Sequence, residues 1–478
     1  MSWHVGTLPD RYADSVRLMG VAAQLRARAG VDACEVVMGT PANLAALREL
    51  GVRVDAAPGD VVLAVSGDAG PDALAEGERL LTSAAGGGDG PAAAAAPPRS
   101  QVSAARALGG RANVALVSVP GEYATLEAHR AIGLGMHVFL FSDHVGLQDE
   151  IALKRRAAAR GVLLMGPECG TAMLGGVGLG FMNVVPRGGV GIVAAAGTGA
   201  QESACLVAAA GGGISHVVGV GGRDLSRAVG GIMFRRGIEL LADDDATDTL
   251  LLVSKPGDPE VVRDLAAALP AGKRVVAAFI GLRDAGLPFE AHATLEGAAL
   301  AAAGRERPPD VRSLEDAVDD AAPCGRVLGL YSGGTLAHEA QTILAPALGA
   351  IADDPGADGH AVVDLGDERY TQGRPHPMVD LSLRRSLLER AADDGRTGIV
   401  LLDVVLGHGA HPDPAAELAP AVARLARGAV VVARVCGTPA DPQDERRQAG
   451  LLRDAGALVA PSNAAAARLA ARASARAA

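Results

Sequence analysis

Short apolar runs alternate with amphipathic stretches along most of this chain, which is the pattern of an α/β protein. Residues 12–29 place apolar side chains at helical spacing, whereas residues 113–119 form a continuous apolar run typical of a buried parallel strand. The runs that predict strands are residues 33–38, 60–65, 113–119, 137–141, 162–165, 189–196, 217–220, 249–254, 275–279, 326–331, 361–364, 398–404, 430–435 and 458–460.

The same pattern predicts where domains divide. Residues 1–83 predict a small N-terminal α/β domain, and residues 84–111 contain a Gly, Pro and Ala stretch without periodicity, which predicts a flexible linker. Residues 112–185 then follow the strand and helix order of a Rossmann-type unit. The alternation restarts in residues 186–302 and again in residues 325–475. In such sheets, ligands bind at the carboxyl ends of the strands.

Charge and hydropathy exclude several classes of function. The net charge is −11 and no basic block occurs, which disfavours a nucleic-acid partner. No apolar run reaches about 18 residues, and the first residues lack the order of a signal peptide, so we expect a cytoplasmic protein without membrane spans. The five cysteines form no CxxC pair, so we expect buried, reduced thiols and no metal site.

The strongest candidate site is the turn Gly197, Thr198 and Gly199, between an apolar strand and a helix. Glycines let backbone N–H groups approach a ligand, and a helix start adds unpaired donors and a positive dipole end. Gln201 and Glu202 fall in the first turn of that helix. The turn therefore predicts a phosphate or carboxylate site, although a tight turn without a ligand has the same spacing.

A second cluster, Gly221 and Gly222 followed by Arg223, lies after the next strand. An Arg beside a glycine turn can clamp a phosphate or carboxylate, and the alternative is an Arg223–Asp224 pair on a solvated loop. Cys169, at another strand end, is a candidate nucleophile or a buried structural thiol.

Histidines at strand ends are candidates for phosphoryl or proton transfer, or else solvated or capping side chains. A second anion site is predicted where two glycine-rich loops follow strands in the last domain. The residues concerned are His292 for transfer, and Gly407, His408, Gly409, Gly437 and Thr438 for the second anion site.

Three stretches together resemble the FdrA family, whose members are similar to succinyl-CoA synthetase: GPECGTAMLGGVGLGFMNVVPRGGVGIVAAAGTGAQE, GGGISHVVGVGGRDL and LLLVSKPG. The resemblance implies a CoA-binding Rossmann domain at residues 112–185 and a flavodoxin-like ligase domain at 186–302. It also implies a domain like the C-terminal part of the synthetase beta subunit at 325–475. Gly197, Thr198, Gly199 and Glu202 fall on the stretch that holds phosphate in the alpha subunit.

Two departures from the synthetase matter. The synthetase phosphorylates a histidine in a Gly-His-Ala-Gly-Ala loop, whereas His292 lacks the flanking glycines. Nothing in the chain resembles the ATP-grasp nucleotide domain, so ATP use would need another chain.

The resemblance implies a subunit of an oxamate carbamoyltransferase in allantoin breakdown, which interconverts oxalurate plus phosphate with oxamate plus carbamoyl phosphate. The expected ligands are small anions and the expected partners are other protein subunits, with Arg223 clamping a substrate carboxylate. One alternative is a subunit of an NDP-forming acyl-CoA synthetase, with CoA as its cofactor. A second is a non-catalytic scaffold of the same fold.

Overall fold

The computed structural model describes residues 3–11, 13, 15–82, 98–281, 287, 289–305, 307–321, 323, 325–371 and 374–477. The chain forms two compact units, Met1–Pro98 and Arg99–Ala478, and each is considered by itself. None of the described helices is long and apolar enough to cross a membrane.

The first unit is a three-stranded antiparallel sheet with helices on both faces. Its elements are β1 (Trp3–Leu8), α1 (Ser15–Arg26), β2 (Ala33–Met38), α2 (Pro41–Glu49), β3 (Val61–Ser66) and α3 (Gly70–Thr82). The strand order is β1-β3-β2, and every residue of β3 is buried because β3 lies in the centre. Alternate residues of β3 therefore face two separate apolar clusters, one with α1 and α3 and one with α2.

The second unit opens with a small parallel sheet. Its elements are α4 (Gln101–Ala107), β4 (Val114–Val117), α5 (Gly121–Gly133), β5 (His137–Leu140), α6 (Leu147–Ala159) and β6 (Leu164–Met165). The strand order β4-β5-β6 runs in one direction, so these strands contain no point where the order reverses. A doubly wound sheet binds its ligand at such a reversal, so this sheet corresponds to half of one.

The seven-stranded sheet follows. Its elements are β7 (Thr171–Leu174), β8 (Val177–Gly180), β9 (Arg187–Ala195), α7 (Gly197–Ala209), β10 (Ile214–Gly219), α8 (Ile232–Ala242), β11 (Thr249–Ser254), α9 (Pro259–Asp264), β12 (Arg274–Phe279), β13 (Glu290–Ala291) and α10 (Leu295–Ala302). The order is β13-β12-β11-β9-β10-β7-β8; the pairs from β13 to β10 are parallel, β7 runs antiparallel to β10, and β8 runs antiparallel to β7. Apolar runs in β9 and β11 are buried on both faces, as parallel strands require.

The last sheet is parallel and five-stranded, in the order β15-β14-β16-β17-β18. Its segment contains α11 (Arg312–Ala321), β14 (Arg326–Tyr331), α12 (Gly334–Leu348), β15 (Ala361–Asp364), α13 (Glu368–Thr371), α14 (Ser382–Asp394), β16 (Thr397–Val405), α15 (Pro414–Leu425), β17 (Val430–Cys436), α16 (Glu445–Asp454), β18 (Leu458–Ala460) and α17 (Asn463–Ala477). One apolar cluster joins α7 and α10 to α12 and α17, so this sheet and the seven-stranded one share a core.

Several predicted boundaries differ from the structure. The predicted linker, residues 84–111, contains α4, which a capping box from Ser100 and Ser103 begins; residues 83–97 lie outside the described residues. β7 and β8 fall in the predicted Rossmann domain, yet they extend the seven-stranded sheet. Residues 303–324, which fall between two predicted domains, contain α11, whose Val318 is buried.

A buried cluster of charges holds α6 against the turn after β10. Lys154 Nζ lies 2.7 Å from a carboxylate oxygen of Glu150 and 2.7 Å from one of Asp224, and all three side chains are at most 1% exposed. Asp224 also accepts hydrogen bonds from the backbone N–H groups of Met233 and Phe234 at the start of α8. Buried ion pairs therefore connect the small sheet to the seven-stranded sheet.

Lys154→Met should destabilise the second unit by about 3 to 5 kcal/mol, because it leaves the buried carboxylate of Asp224 without its cation and leaves Glu150 with Arg223 alone. Arg130→Met is the matched control: its partner Glu127 lies on the surface of α5, and such pairs contribute about 1 kcal/mol or less. Urea unfolding of both variants measures the difference. Equal shifts of the unfolding midpoint would show that the buried cluster is not structurally important.

Candidate anion-binding site

Two sheets of the second unit each have a point where the strand order reverses, and a helix starts at each point. In the seven-stranded sheet, β10 and β11 flank β9 on opposite sides, and α7 begins at Gly197 directly after β9. In the five-stranded sheet, β15 and β16 flank β14, and α12 begins at Gly334 directly after β14. Both helix starts thus occupy the position at which α/β sheets bind ligands.

The two helix starts are in contact with each other. A Cβ atom placed on Gly333 would lie 2.6 Å from Thr198 Oγ1, and one placed on Gly199 would lie 2.7 Å from Thr335 Cγ2. Both distances are shorter than a carbon side chain can tolerate. Glycine is therefore required on both sides for the helices to approach this closely.

The first turns of both helices keep their backbone N–H groups available. No side chain caps α7, whose preceding residue is Ala196, and none caps the first turn of α12. Each helix start leaves N–H donors without intrahelical partners and carries about half a positive charge. Two such starts in contact form a site suited to an anion with several oxygen atoms.

Asp403, a buried residue of β16, fixes the loop that enters α12. Its carboxylate accepts hydrogen bonds from the backbone N–H groups of Ser332 (2.7 Å) and Gly333 (2.9 Å) and from Ser332 Oγ (3.0 Å). Arg384, 1% exposed, lies 3.1 Å from the same carboxylate and neutralises it. The charges of this pair cancel, so the helix start keeps its attraction for an external anion.

Lys255 and Asp364 place opposite charges at the start of α12. Lys255 follows β11, Asp364 ends β15, and both side chains occupy the space that a Cβ on Gly334 would fill, with Lys255 Nζ 2.8 Å from that point. Burial raises the pKa of Asp364 to about 6, and the ammonium of Lys255 opposes that rise. The site therefore combines N–H donors, one exposed cation and one half-buried carboxylate.

Gln201 and Glu202, predicted near the phosphate, are buried on the inner side of α7. Gln201 Nε2 donates to Asn183 Oδ1 at 3.1 Å. Both oxygens of Glu202 lie 3.0 Å from Arg434 Nε, and one accepts the backbone N–H of Asn463. These contacts hold α7 against β17 and α17, so the structure gives both side chains a positioning role.

Arg223 contacts the small sheet's elements. Its Nε lies 2.8 Å from Glu150, and its NH2 donates to the carbonyl oxygen of Val145 at 2.9 Å. Gly221 has a left-handed φ of 86° and packs against the Gly166–Pro167 peptide, whereas the Cα of Gly222 faces open space. None of the partners of Arg223 named here belongs to α7 or α12, so the structure does not bring its guanidinium to the two helix starts.

His292 lies apart from the helix starts, and Cys169 is buried. His292 follows β13, three strands from β9 and therefore roughly 14 Å away across the sheet, and its Nε2 lies 2.9 Å from Glu290 Oε1. Cys169 is buried, its Sγ contacts the carbonyl oxygens of Thr171 and Gly219, and burial raises its pKa to about 12. Of the two roles predicted for Cys169, a nucleophile or a buried structural thiol, the burial favours the structural one. Cys34, Cys205 and Cys436 are likewise buried and free, and Cys324 lies outside the described residues.

At the predicted second anion site, three backbone N–H groups donate hydrogen bonds to other groups of the protein. The backbone N–H of Gly407 donates to Gln443, that of His408 to the carbonyl oxygen of Met182, and that of Thr438 to Asp441. Gly409 packs against the ring of Phe181, and Gly437 against Leu406. Gly407 and Gly409 thus allow the last sheet to approach the segment after β8, whereas Gly437 packs within the last sheet. The backbone donors of Gly407, His408 and Thr438 bind within the protein, contrary to the prediction that they face an anion.

Sequence reasoning missed half of the site. Ser332, Gly333, Gly334 and Thr335 follow an apolar strand, as Gly197 and Thr198 do, so the same strand–glycine–helix signal was present. Lys255 directly follows β11, and Asp364 ends β15. No local signal pairs them, because they meet only when the two sheets share a core.

Comparison with known proteins places this geometry in a family. The chain is 34% identical over 504 residues to the uncharacterized protein YahF of Escherichia coli (strain K12), with 97% of each chain covered. The chain belongs to the YahF family. It is also 29% identical to the succinate–CoA ligase [ADP-forming] alpha subunit of Methanothermobacter thermautotrophicus, over 30% of this chain and 49% of that protein.

Two family descriptions match parts of the chain. Residues 330–473 match the family described as CoA-ligase, and residues 1–97 match the one described as AllF, heavy metal-associated domain. The CoA-ligase match confirms the predicted succinyl-CoA synthetase-like fold, whereas the FdrA assignment stays a prediction. Cys34 is the single cysteine of residues 1–97, and burial raises its pKa to about 11, so that part of the sequence offers no thiolate pair to a heavy metal.

Among solved structures, the chain matches the dinucleotide-forming acetyl-coenzyme A synthetase 1 of Ca. Korarchaeum cryptofilum in complex with phosphate and ADP. That comparison has 16% identity and a TM-score of 0.30, and it covers 76% of this chain and 83% of that one.

Lys255→Met should weaken binding of inorganic phosphate by about five- to tenfold, because it removes the exposed cation beside α12. Arg223→Ala is the comparison variant: it should leave phosphate affinity within about twofold but lower the unfolding midpoint, since Glu150 loses a partner. Isothermal titration calorimetry and urea unfolding separate the two effects. If Arg223→Ala weakened phosphate binding as much as Lys255→Met, the clamp predicted from the sequence would be restored.

Proposed function

We propose that this chain is the phosphate-handling subunit of an enzyme of the acid–thiol ligase type, related to the NDP-forming acyl-CoA synthetases. Phosphate or an acyl phosphate would bind between the starts of α7 and α12. The observation that carries the proposal is the contact between Gly333 and Thr198, which joins the reversal points of two sheets. The match of residues 330–473 to the CoA-ligase family and the partial likeness to a succinate–CoA ligase alpha subunit support it.

Fixed N–H donors suit the chemistry of acyl phosphates. A developing negative charge on the phosphate or on a tetrahedral carbon is stabilised by donors that need no reorganisation, and one such donor contributes about 3 kcal/mol to lowering the barrier. Lys255 would add a compact positive charge on the same side. In this arrangement the protein binds and orients the anion, and no side-chain nucleophile is needed.

The proposal requires partners. The sequence contains no resemblance to an ATP-grasp domain, so a separate chain would supply the nucleotide step. The sheet β4-β5-β6 is half of a doubly wound sheet, so CoA, if it is the thiol, would need contacts beyond the strand ends of this sheet.

A second candidate is the carbamoyltransferase reaction, and the position of His292 favours it. His292 is paired with Glu290 at the sheet edge rather than placed at the helix starts, so His292 is not positioned to carry a phosphoryl group at this site. A reaction that begins from an acyl phosphate such as carbamoyl phosphate needs no phosphohistidine relay. Both candidates use the same anion site and differ in the acceptor.

Gly333→Ala should weaken binding of phosphate and of carbamoyl phosphate at least about tenfold, because its Cβ would push Thr198 and the start of α7 away. Gly272→Ala is the matched control, since nothing lies within 4 Å of its Cβ position. Adding Thr198→Gly to Gly333→Ala removes every atom of the clash and should restore part of the affinity. Calorimetric titration of the full chain measures each case.

The same titrations, with CoA and oxamate added, separate the candidates. CoA binding without a response to carbamoyl phosphate favours the ligase, whereas binding of carbamoyl phosphate or oxamate without CoA favours the carbamoyltransferase. If the unaltered chain bound none of these anions, the proposal would fail and the scaffold alternative would take its place. Unchanged phosphate affinity in Gly333→Ala would move the site elsewhere.

A further inference from the structure

A carboxylate beside an anion site needs an explanation, because like charges repel. Asp364 comes from β15 and reaches the first residue of α12, where its Oδ2 and Lys255 Nζ both occupy the space beside Gly334. Its Oδ1 accepts the backbone N–H of Gly366 at 2.9 Å. Its Oδ2 has no hydrogen-bond donor among the described residues, so this oxygen is an open acceptor at the helix start.

Apart from Lys255, the cationic groups around Asp364 do not neutralise its carboxylate. Burial lowers the pKa of His376 to about 4, so that imidazole is uncharged near neutral pH, and its Nδ1 accepts the N–H of Met378. Arg384 is committed to Asp403. The groups that face Asp364 are Lys255 from the end of β11, Asp403 from β16, Asp367 from its own loop, Arg384 from α14 and His376 from the loop before α14.

We propose that the open oxygen of Asp364 makes the site selective for an oxyanion that carries a hydrogen, namely hydrogen phosphate, and that it rejects fully ionised sulfate. The proposal rests on the proposed function, because it takes the starts of α7 and α12 as the phosphate site. It adds the protonation state of the bound phosphate. The phosphate hydroxyl donates to Asp364, while Lys255 and the helix N–H groups bind the other oxygens.

Phosphate and sulfate provide a clean comparison. Near neutral pH both carry about two negative charges on the same tetrahedral shape, but only phosphate keeps a proton to donate. Sulfate would place an acceptor oxygen against the acceptor oxygen of Asp364, so no hydrogen bond would form between them and their negative charges would repel. Such mismatches reduce affinity by about tenfold or more.

The pH dependence has a definite sign. Burial raises the pKa of Asp364 to about 6, so the carboxylate is ionised above that pH and protonated below it. Sulfate does not titrate in this range, so its affinity should rise as the pH falls through about 6 and Asp364 becomes a donor.

Calorimetric titration of the full chain with sodium phosphate and with sodium sulfate, near pH 7.5 and near pH 5, tests this. Unaltered protein should prefer phosphate by at least about tenfold at the higher pH. Its sulfate affinity should rise by about fivefold or more at the lower pH. Asp364→Asn should bring the two anions within about twofold of each other near pH 7.5 and abolish the rise, because an amide donates at either pH.

Asp367→Asn is the control, because it removes a neighbouring charge from the same loop and should keep both the preference and the rise with acid. The pH titration of the unaltered protein tests the proposal even if Asp364→Asn fails to fold. Equal binding of phosphate and sulfate near pH 7.5 would overturn this inference and leave the anion site standing. Binding of neither anion would overturn the proposed function as well.

Discussion

The contact between Gly333 and Thr198 brings the starts of α7 and α12 together, and the candidate site depends on it. Two positive helix ends repel each other, so their approach costs free energy unless other contacts hold them. The apolar core that α7 shares with α12 and α17 supplies those contacts, together with the buried Glu202–Arg434 pair. An anion bound between the helix ends would reduce the repulsion between their positive charges, which is the physical reason to expect one there.

Much of the fold could be predicted from the sequence. The strands Ala33–Met38, Thr249–Ser254, Arg326–Tyr331, Ala361–Asp364 and Leu458–Ala460 have the predicted bounds, because apolar runs between turn residues are a local signal. Predictions failed where pairing decides the structure. β7 and β8 pair with a sheet that begins beyond the predicted boundary. A separate difference is α4, which forms at residues 101–107 of the predicted linker, after its Gly-, Pro- and Ala-rich part.

The candidate site was predicted in part for the same reason. Gly197, Thr198 and Gly199 carry a local strand–turn–helix signal, and the structure places them at a reversal of strand order. Arg223 and Gly407 carried equally good local signals, yet their polar groups bind within the protein. Whether a glycine turn faces a ligand or a neighbouring loop depends on tertiary packing, which spacing does not encode.

The position of the two helix starts in one chain has a consequence for assembly. Residues after β9 and residues after β14 are about 140 positions apart in sequence, yet both belong to the unit Arg99–Ala478. Because both halves of the site belong to one polypeptide, the effective concentration of one half near the other is fixed. Dilution therefore cannot separate them. Assembly of the site in a cell would therefore not depend on the balance of two gene products.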